Sequence, residues 1–140
     1  MLKLNKIHHI AIICSDYEKS KDFYTRVLGF SITRETYRQE RSSYKLDLSL
    51  HGNYSIELFS FPGPPPRVTG PEATGLRHLA FEVDDVESAI AALQEHDIQT
   101  ERIRTDVLTG KRFTFFSDPD GLPLELYEKT TWNGKWINSL

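Results

Sequence analysis

The stretch His9–Phe30, HIAIICSDYEKSKDFYTRVLGF, decides the fold. His9 opens a short apolar run, Ser15 and Asp16 make a polar turn, and an apolar stripe of Phe23, Tyr24, Val27 and Leu28 leads to Gly29. The same order recurs in His78–Ile98, HLAFEVDDVESAIAALQEHDI. His78 stands 69 residues after His9, and Asp85 stands 69 residues after Asp16. A strand, an acidic turn and a helix repeated at one offset indicate an internal duplication.

Both copies predict the same helix start. Ser15 with Glu18, and Asp84 with Glu87, have the spacing of a capping box. Gly29 predicts a stop near Leu28, because glycine accepts the left-handed backbone that ends a helix. The second helix, with Val86, Ala89, Ile90 and Leu93 on its apolar stripe, is expected to end near His96. Three strands are expected after each helix: Ser31–Tyr37, Tyr44–Leu50 and Tyr54–Phe61, then Gln99–Thr105, Arg112–Ser117 and Leu122–Glu128. Gly52-Asn53 and Asp118–Gly121 supply turns.

The chain therefore reads as α+β, one domain over residues 1–140 made of two tandem βαβββ modules, 7–61 and 76–128. The Pro/Gly-rich residues 62–75 form a stiff linker, and 129–140 a tail with Trp132 and Trp136 four apart, suited to packing on the body or on a partner.

Composition excludes several classes. The 140 residues are 39% hydrophobic and 26% charged, with net charge −3 from 17 basic and 20 acidic side chains. That balance gives no sign of a nucleic-acid surface. No apolar run approaches the roughly 20 residues that cross a membrane. Cys14 is the single cysteine, which rules out an intrachain disulfide and a cysteine-rich zinc site. With no signal-peptide cleavage region, the expected location is the cytoplasm.

The repeat also pairs polar residues. Glu57 lies in the last strand of the first module and Glu125 in the last strand of the second, 48 residues after His9 and 47 after His78. Strand alternation puts Glu57 on one face with Phe59 and Phe61, and His9 on one face with Ala11 and Ile13. A carboxylate among rings needs a partner. Two imidazoles and two carboxylates, His9, Glu57, His78 and Glu125, suit a borderline divalent metal, which relieves the conflict of two buried carboxylates. His8, His51 and His96 read as structural or surface residues.

HHIAI, FYTRVLGF, IELF, RHLAFEV and FFSDPDGLPLELYE resemble the glyoxalase I and vicinal oxygen chelate superfamily, over about Ile7 to Glu128. The resemblance implies two βαβββ modules forming a curved mixed-sheet cleft. It places the metal ligands on His9, Glu57, His78 and Glu125, in the order found in small bacterial glyoxalase I enzymes. Those enzymes hold nickel, cobalt or zinc, and manganese is a further candidate. They isomerise the hemithioacetal of methylglyoxal and glutathione. Dimers with exchanged modules are common among such relatives, so a homodimer is expected.

Two positions depart from that pattern. The residues four past the first histidine and four past the first glutamate, Arg and Asn in glyoxalase I, are Ile13 and Phe61 here. The metal centre is thus expected to be kept and the glutathione surface changed. Arg34, Arg38, Arg41 and Lys45 either offer charge to another anion or form a solvated face.

The resulting expectation is a metal-dependent lyase or isomerase acting on an α-hydroxycarbonyl compound or hemithioacetal through an enediolate. Glu125 is the expected base and Glu57 its possible partner. The alternatives are a dioxygenase or thiol transferase of the same superfamily, or a non-enzymatic binder of the bleomycin-resistance kind, its cleft lined by Phe59, Phe61 and Tyr127.

Overall fold

The computed structural model describes residues 1–129, so Trp132 and Trp136 lie outside the described residues. The chain divides into two compact units, Met1–Arg67 and a second beginning at Val68. The first contains β1 (Ile10–Cys14), α1 (Tyr17–Asp22) continued by a π-helical turn at Phe23–Val27, β2 (Ser31–Arg38), β3 (Ser43–Leu50) and β4 (Asn53–Ser60). The second contains β5 (Leu79–Val83), α2 (Val86–Gln94), β6 (Arg104–Thr105), β7 (Arg112–Ser117) and β8 (Pro123–Glu128).

Each unit builds a four-stranded sheet, in the orders β1-β4-β3-β2 and β5-β8-β7-β6. In each, the first strand runs parallel to the last and the other pairings are antiparallel. The repeat in the sequence is therefore a repeat of topology. The α+β expectation of two βαβββ units holds.

Alternation separates the faces of the first sheet. Ile12, Cys14, Leu46, Leu48, Ile56 and Leu58 are buried, and Tyr17, Phe23 and Tyr24 of the helix are buried with them. Tyr17 stacks on Tyr44 at a centroid distance of 4.2 Å, fixing the helix against β3. Truncating one of these leucines to alanine costs about 2–5 kcal/mol. The opposite face carries Ala11 and Ile13 of β1, both exposed, and Glu57 of β4.

The helix starts differ from the expected caps by one residue. Asp16 accepts from the Lys19 amide at 3.1 Å, and Asp85 from the Ser88 amide at 2.9 Å. Ser15 and Asp84 are not the caps, because Asp16 and Asp85 hold the extended backbone from which a carboxylate reaches the third helical amide. Gly29 does end the first helix, at φ +84°, with its amide bonded to the Thr25 carbonyl at 3.0 Å. Leu28 reaches back to the Phe23 carbonyl at 3.0 Å, which widens this last turn.

The strand expected at Gln99–Thr105 is regular only at Arg104–Thr105. Glu101 still touches β7, its amide donating to the Phe115 carbonyl at 2.9 Å. Its own carbonyl accepts from the Thr114 hydroxyl at 2.8 Å, so a side chain replaces the ladder bond there. Among the described residues no helix is long and apolar enough to cross a membrane.

Candidate metal centre

Parallel pairing positions the first histidine and glutamate. Ala11 is the register partner of Glu57, and His9 precedes Ala11 by two residues, so both side chains rise from one face. His9 Nε2 lies 2.5 Å from Glu57 Oε2. The second unit repeats this: Ala80 is the partner of Glu125, and His78 Nε2 lies 2.9 Å from Glu125 Oε2. Both carboxylates are buried, at 6% and 9% exposure. Both histidines sit one residue before the regular strand.

The surroundings of the two pairs differ. Glu57 Oε1 accepts from Lys45 Nζ at 2.9 Å, and Lys45 also approaches Asp47 at 3.5 Å. Asp47 is the register partner of Glu57 on β3. A β-bulge between Leu48 and Ser49 sets Tyr54 opposite Ser49, which turns the phenol onto this face. Its hydroxyl donates to Asp47 at 2.8 Å. Burial pushes the Glu57 carboxyl up, but the hydrogen bonds and charge of Lys45, with Tyr54 and His9, outweigh it and hold the group below the usual carboxylate range. Burial, followed by the bonds to Asp47 and Glu57, raises the Tyr54 phenol.

In the second unit the place of Asp47 is taken by Phe115, the register partner of Glu125. Its ring meets His78 edge-on at 5.1 Å. Among the described residues Glu125 has no lysine or arginine partner, and His78 is its one ion-pair contact. The first carboxylate is thus held by a cation, and the second stands against an aromatic wall.

The structure brings His9 to Glu57 and His78 to Glu125. No cluster of three or more His, Cys, Asp or Glu side chains suited to a metal occurs among the described residues. The donor chemistry of each pair fits a divalent ion. Two ligands at bond lengths of about 2.1 Å stand roughly 3 Å apart in an octahedral shell, close to the 2.9 Å of the second pair and wider than the 2.5 Å of the first. In each pair one carboxylate oxygen faces one imidazole Nε2, and these are the atoms that would hold a divalent ion.

Lys45, Asp47 and Tyr54 join the site without a sequence signal strong enough to find them, although Lys45 belongs to the basic group noted above. His8 also belongs here, its Nδ1 lying 2.8 Å from His9 Nδ1 and its ring 5.4 Å from Tyr54. Lys45 is committed to Glu57, and Arg34 lies 3.6 Å from Asp47, so neither is free for an outside anion.

Duplicated βαβββ units, each presenting a histidine beside the first strand and a glutamate on the last, define the class of fold. Residues 6–126 match the Glyoxalase/Bleomycin resistance protein/Dioxygenase superfamily, and the chain belongs to it. The chain is 70% identical to Uncharacterized protein YwkD of Bacillus subtilis (strain 168) over 126 residues, 90% of this chain and 98% of that one. The crystal structure of the glyoxalase family protein from Enterococcus faecalis superposes with a TM-score of 0.82 at 51% identity, covering 88% of this chain and 97% of that one. More distant enzymes are also similar. A lactoylglutathione lyase of Escherichia coli O157:H7 is 29% identical over 89% of this chain and 93% of its own. A mitochondrial methylmalonyl-CoA epimerase of Mus musculus is 29% identical over 70% of this chain and 57% of its own.

Proposed function

We propose that the protein is a divalent-metal-dependent lyase or isomerase of the glyoxalase I kind, acting on an α-hydroxycarbonyl compound or hemithioacetal. His9, Glu57, His78 and Glu125 would hold the ion, with the two His–Glu pairs meeting inside one chain or across a homodimer. Nickel or zinc suits this nitrogen and oxygen set best, with cobalt and manganese as further candidates. The observation that carries the reading is the duplicated His–Glu contact, at 2.5 Å and 2.9 Å, in register-equivalent places of two sheets.

A bound divalent ion supplies Lewis-acid polarisation of the substrate carbonyl, which acidifies the proton on the neighbouring carbon. The chain supplies the proton transfers. Glu125 takes the carbon-bound proton and returns it to the adjacent carbon. It suits this role because among the described residues no lysine or arginine pairs with it and the Phe115 ring meets its histidine edge-on. Glu57 is the poorer base, since Lys45 holds its free oxygen and keeps it ionised. Lys45, Asp47 and Tyr54 orient Glu57. The lyase and the epimerase among the distant relatives support an enzyme over a simple binder. Ile13 and Phe61 favour a substrate other than the glutathione adduct, because neither side chain donates a hydrogen bond to a carboxylate.

The test is turnover of methylglyoxal hemithioacetals of glutathione and other thiols, and of α-hydroxycarbonyl compounds, in deuterated water with each metal. Deuterium entering at the reacting carbon, abolished by Glu125→Gln with metal retained, supports the reading. Exchange at the wild-type rate in that variant overturns the assignment of Glu125.

A further inference from the structure

We propose that Arg38 and Arg41, standing on Phe59 and Phe61, form an anion site for a carboxylate or phosphate group. The Arg38 guanidinium lies 5.0 Å from the Phe59 centroid and 5.7 Å from that of Phe61. Arg41 lies 5.5 Å from the same Phe61 ring. The two rings are parallel within 9° and 6.0 Å apart, so they make one platform. Arg38 Nη2 donates to the buried Ser43 hydroxyl at 2.9 Å, which fixes the guanidinium in place. Its Nε is enclosed and has no hydrogen-bond partner among the described residues.

The missing element is a counter-charge. Among the described residues no ion pair with an acidic side chain involves Arg38 or Arg41. The second unit shows what a satisfied version looks like. Arg104 stands over Phe113 and Phe115 at 5.1 Å and 5.4 Å, and there Glu101 takes its Nη2 at 2.9 Å. Two guanidiniums sharing one ring repel each other, and the stacking alone offsets that only weakly. A carboxylate or phosphate bridging them supplies charge-assisted bonds to planar forks that suit both anions.

The platform also has a place relative to the proposed chemistry. Phe59 follows Glu57 on the same face of β4, and Phe61 lies just past the strand's end, its ring parallel to that of Phe59. At about 3.3 Å per residue, the anion lies roughly 7–13 Å along the strand from the Glu57 carboxylate. A substrate with its reacting carbonyl at the His9–Glu57 pair and an acidic group at its other end spans that distance. The anion site stands on the arginine geometry alone; assigning its occupant to the substrate rests on the proposed function.

The experiment follows the arginine Nε–H signals of the metal-free protein by NMR while inorganic phosphate or malonate is added. Saturable shifts confined to Arg38 and Arg41, weakened about tenfold or more in Arg38→Gln and in Arg41→Gln, support the site. Phosphate alone, or malonate alone, assigns the class of anion. Equal, unsaturated shifts of Arg26, Arg34, Arg38 and Arg41, or none, overturn it. Because no metal is present, failure here is distinct from failure of the proposed reaction. A turnover assay then separates the two claims: Arg38→Gln raises KM for an acidic substrate and leaves its kcat and its KM for a neutral analogue unchanged.

Discussion

Lys45 donates to Glu57 at 2.9 Å, and Glu125, in the equivalent place of the second sheet, has no such cation among the described residues. The duplication preserved the carboxylates and their histidines but not the residues beside them. Lys45 and Asp47 face Glu57, and Phe113 and Phe115 stand in the corresponding part of β7. One half of the repeat sets a cation beside its carboxylate, and the other sets an aromatic ring beside its His–Glu pair.

Replacing Lys45 with Met tests that division. Glu57 loses its cation while buried, so the metal-free protein is expected to lose about 1–3 kcal/mol of stability. Divalent metal then restores more of that stability than in wild type, because a competing positive charge is gone. Chemical denaturation with and without metal measures both. Equal losses in the two states would show that Lys45 acts apart from the proposed centre.

Tyr54 depends on the β-bulge for its position. Tyr54→Phe removes the bond to Asp47 and is expected to cost about 1 kcal/mol in denaturation, with the fold retained. A loss smaller than the error of the measurement would mean that Asp47 finds another donor.

Acid stability depends in part on Glu35. The hydrogen bond from Lys21 and then that from Tyr17, outweighing a small effect of burial, hold the Glu35 carboxyl below its usual value. Lys21 lies 2.6 Å away. A depressed folded-state value means that the contribution is present above the unfolded carboxylate range and lost as pH falls through the folded value. Glu35→Gln is therefore expected to flatten the acid limb of the stability–pH curve and to lower stability at neutral pH. An unchanged acid limb would assign it to other carboxylates. Arg112 binds Glu128 at 2.7 Å, Glu87 at 2.9 Å and Asp85 at 3.2 Å, so the second unit has its own acid-sensitive network.

Much of this architecture was legible because alternation and offset are local or countable properties. Leu46, Leu48, Ile56 and Leu58 alternate with polar residues, and the recurrence of His and Glu at nearly one spacing exposed both sheets. What was not legible depends on contacts across strands. The role of Lys45 follows from its pairing opposite Phe59, one step from the Asp47–Glu57 pair. Tyr54 reaches Asp47 only because one residue is extra in the ladder. The π-helical turn needs the Leu28 amide to bypass its usual acceptor, and the Thr25 hydroxyl to take the Lys21 carbonyl at 2.7 Å. The shift of both caps by one residue reflects a choice between adjacent good capping residues, Ser15 or Asp16 and Asp84 or Asp85, that composition does not decide.

The most direct measurement is the metal content of protein purified without a His-tag or added metal, beside a variant changed at His9, Glu57, His78 and Glu125. The account predicts about one divalent ion per site, nickel, zinc, cobalt or manganese, absent from the variant. No bound metal after incubation with each of these ions, or equal metal in the variant, would contradict it.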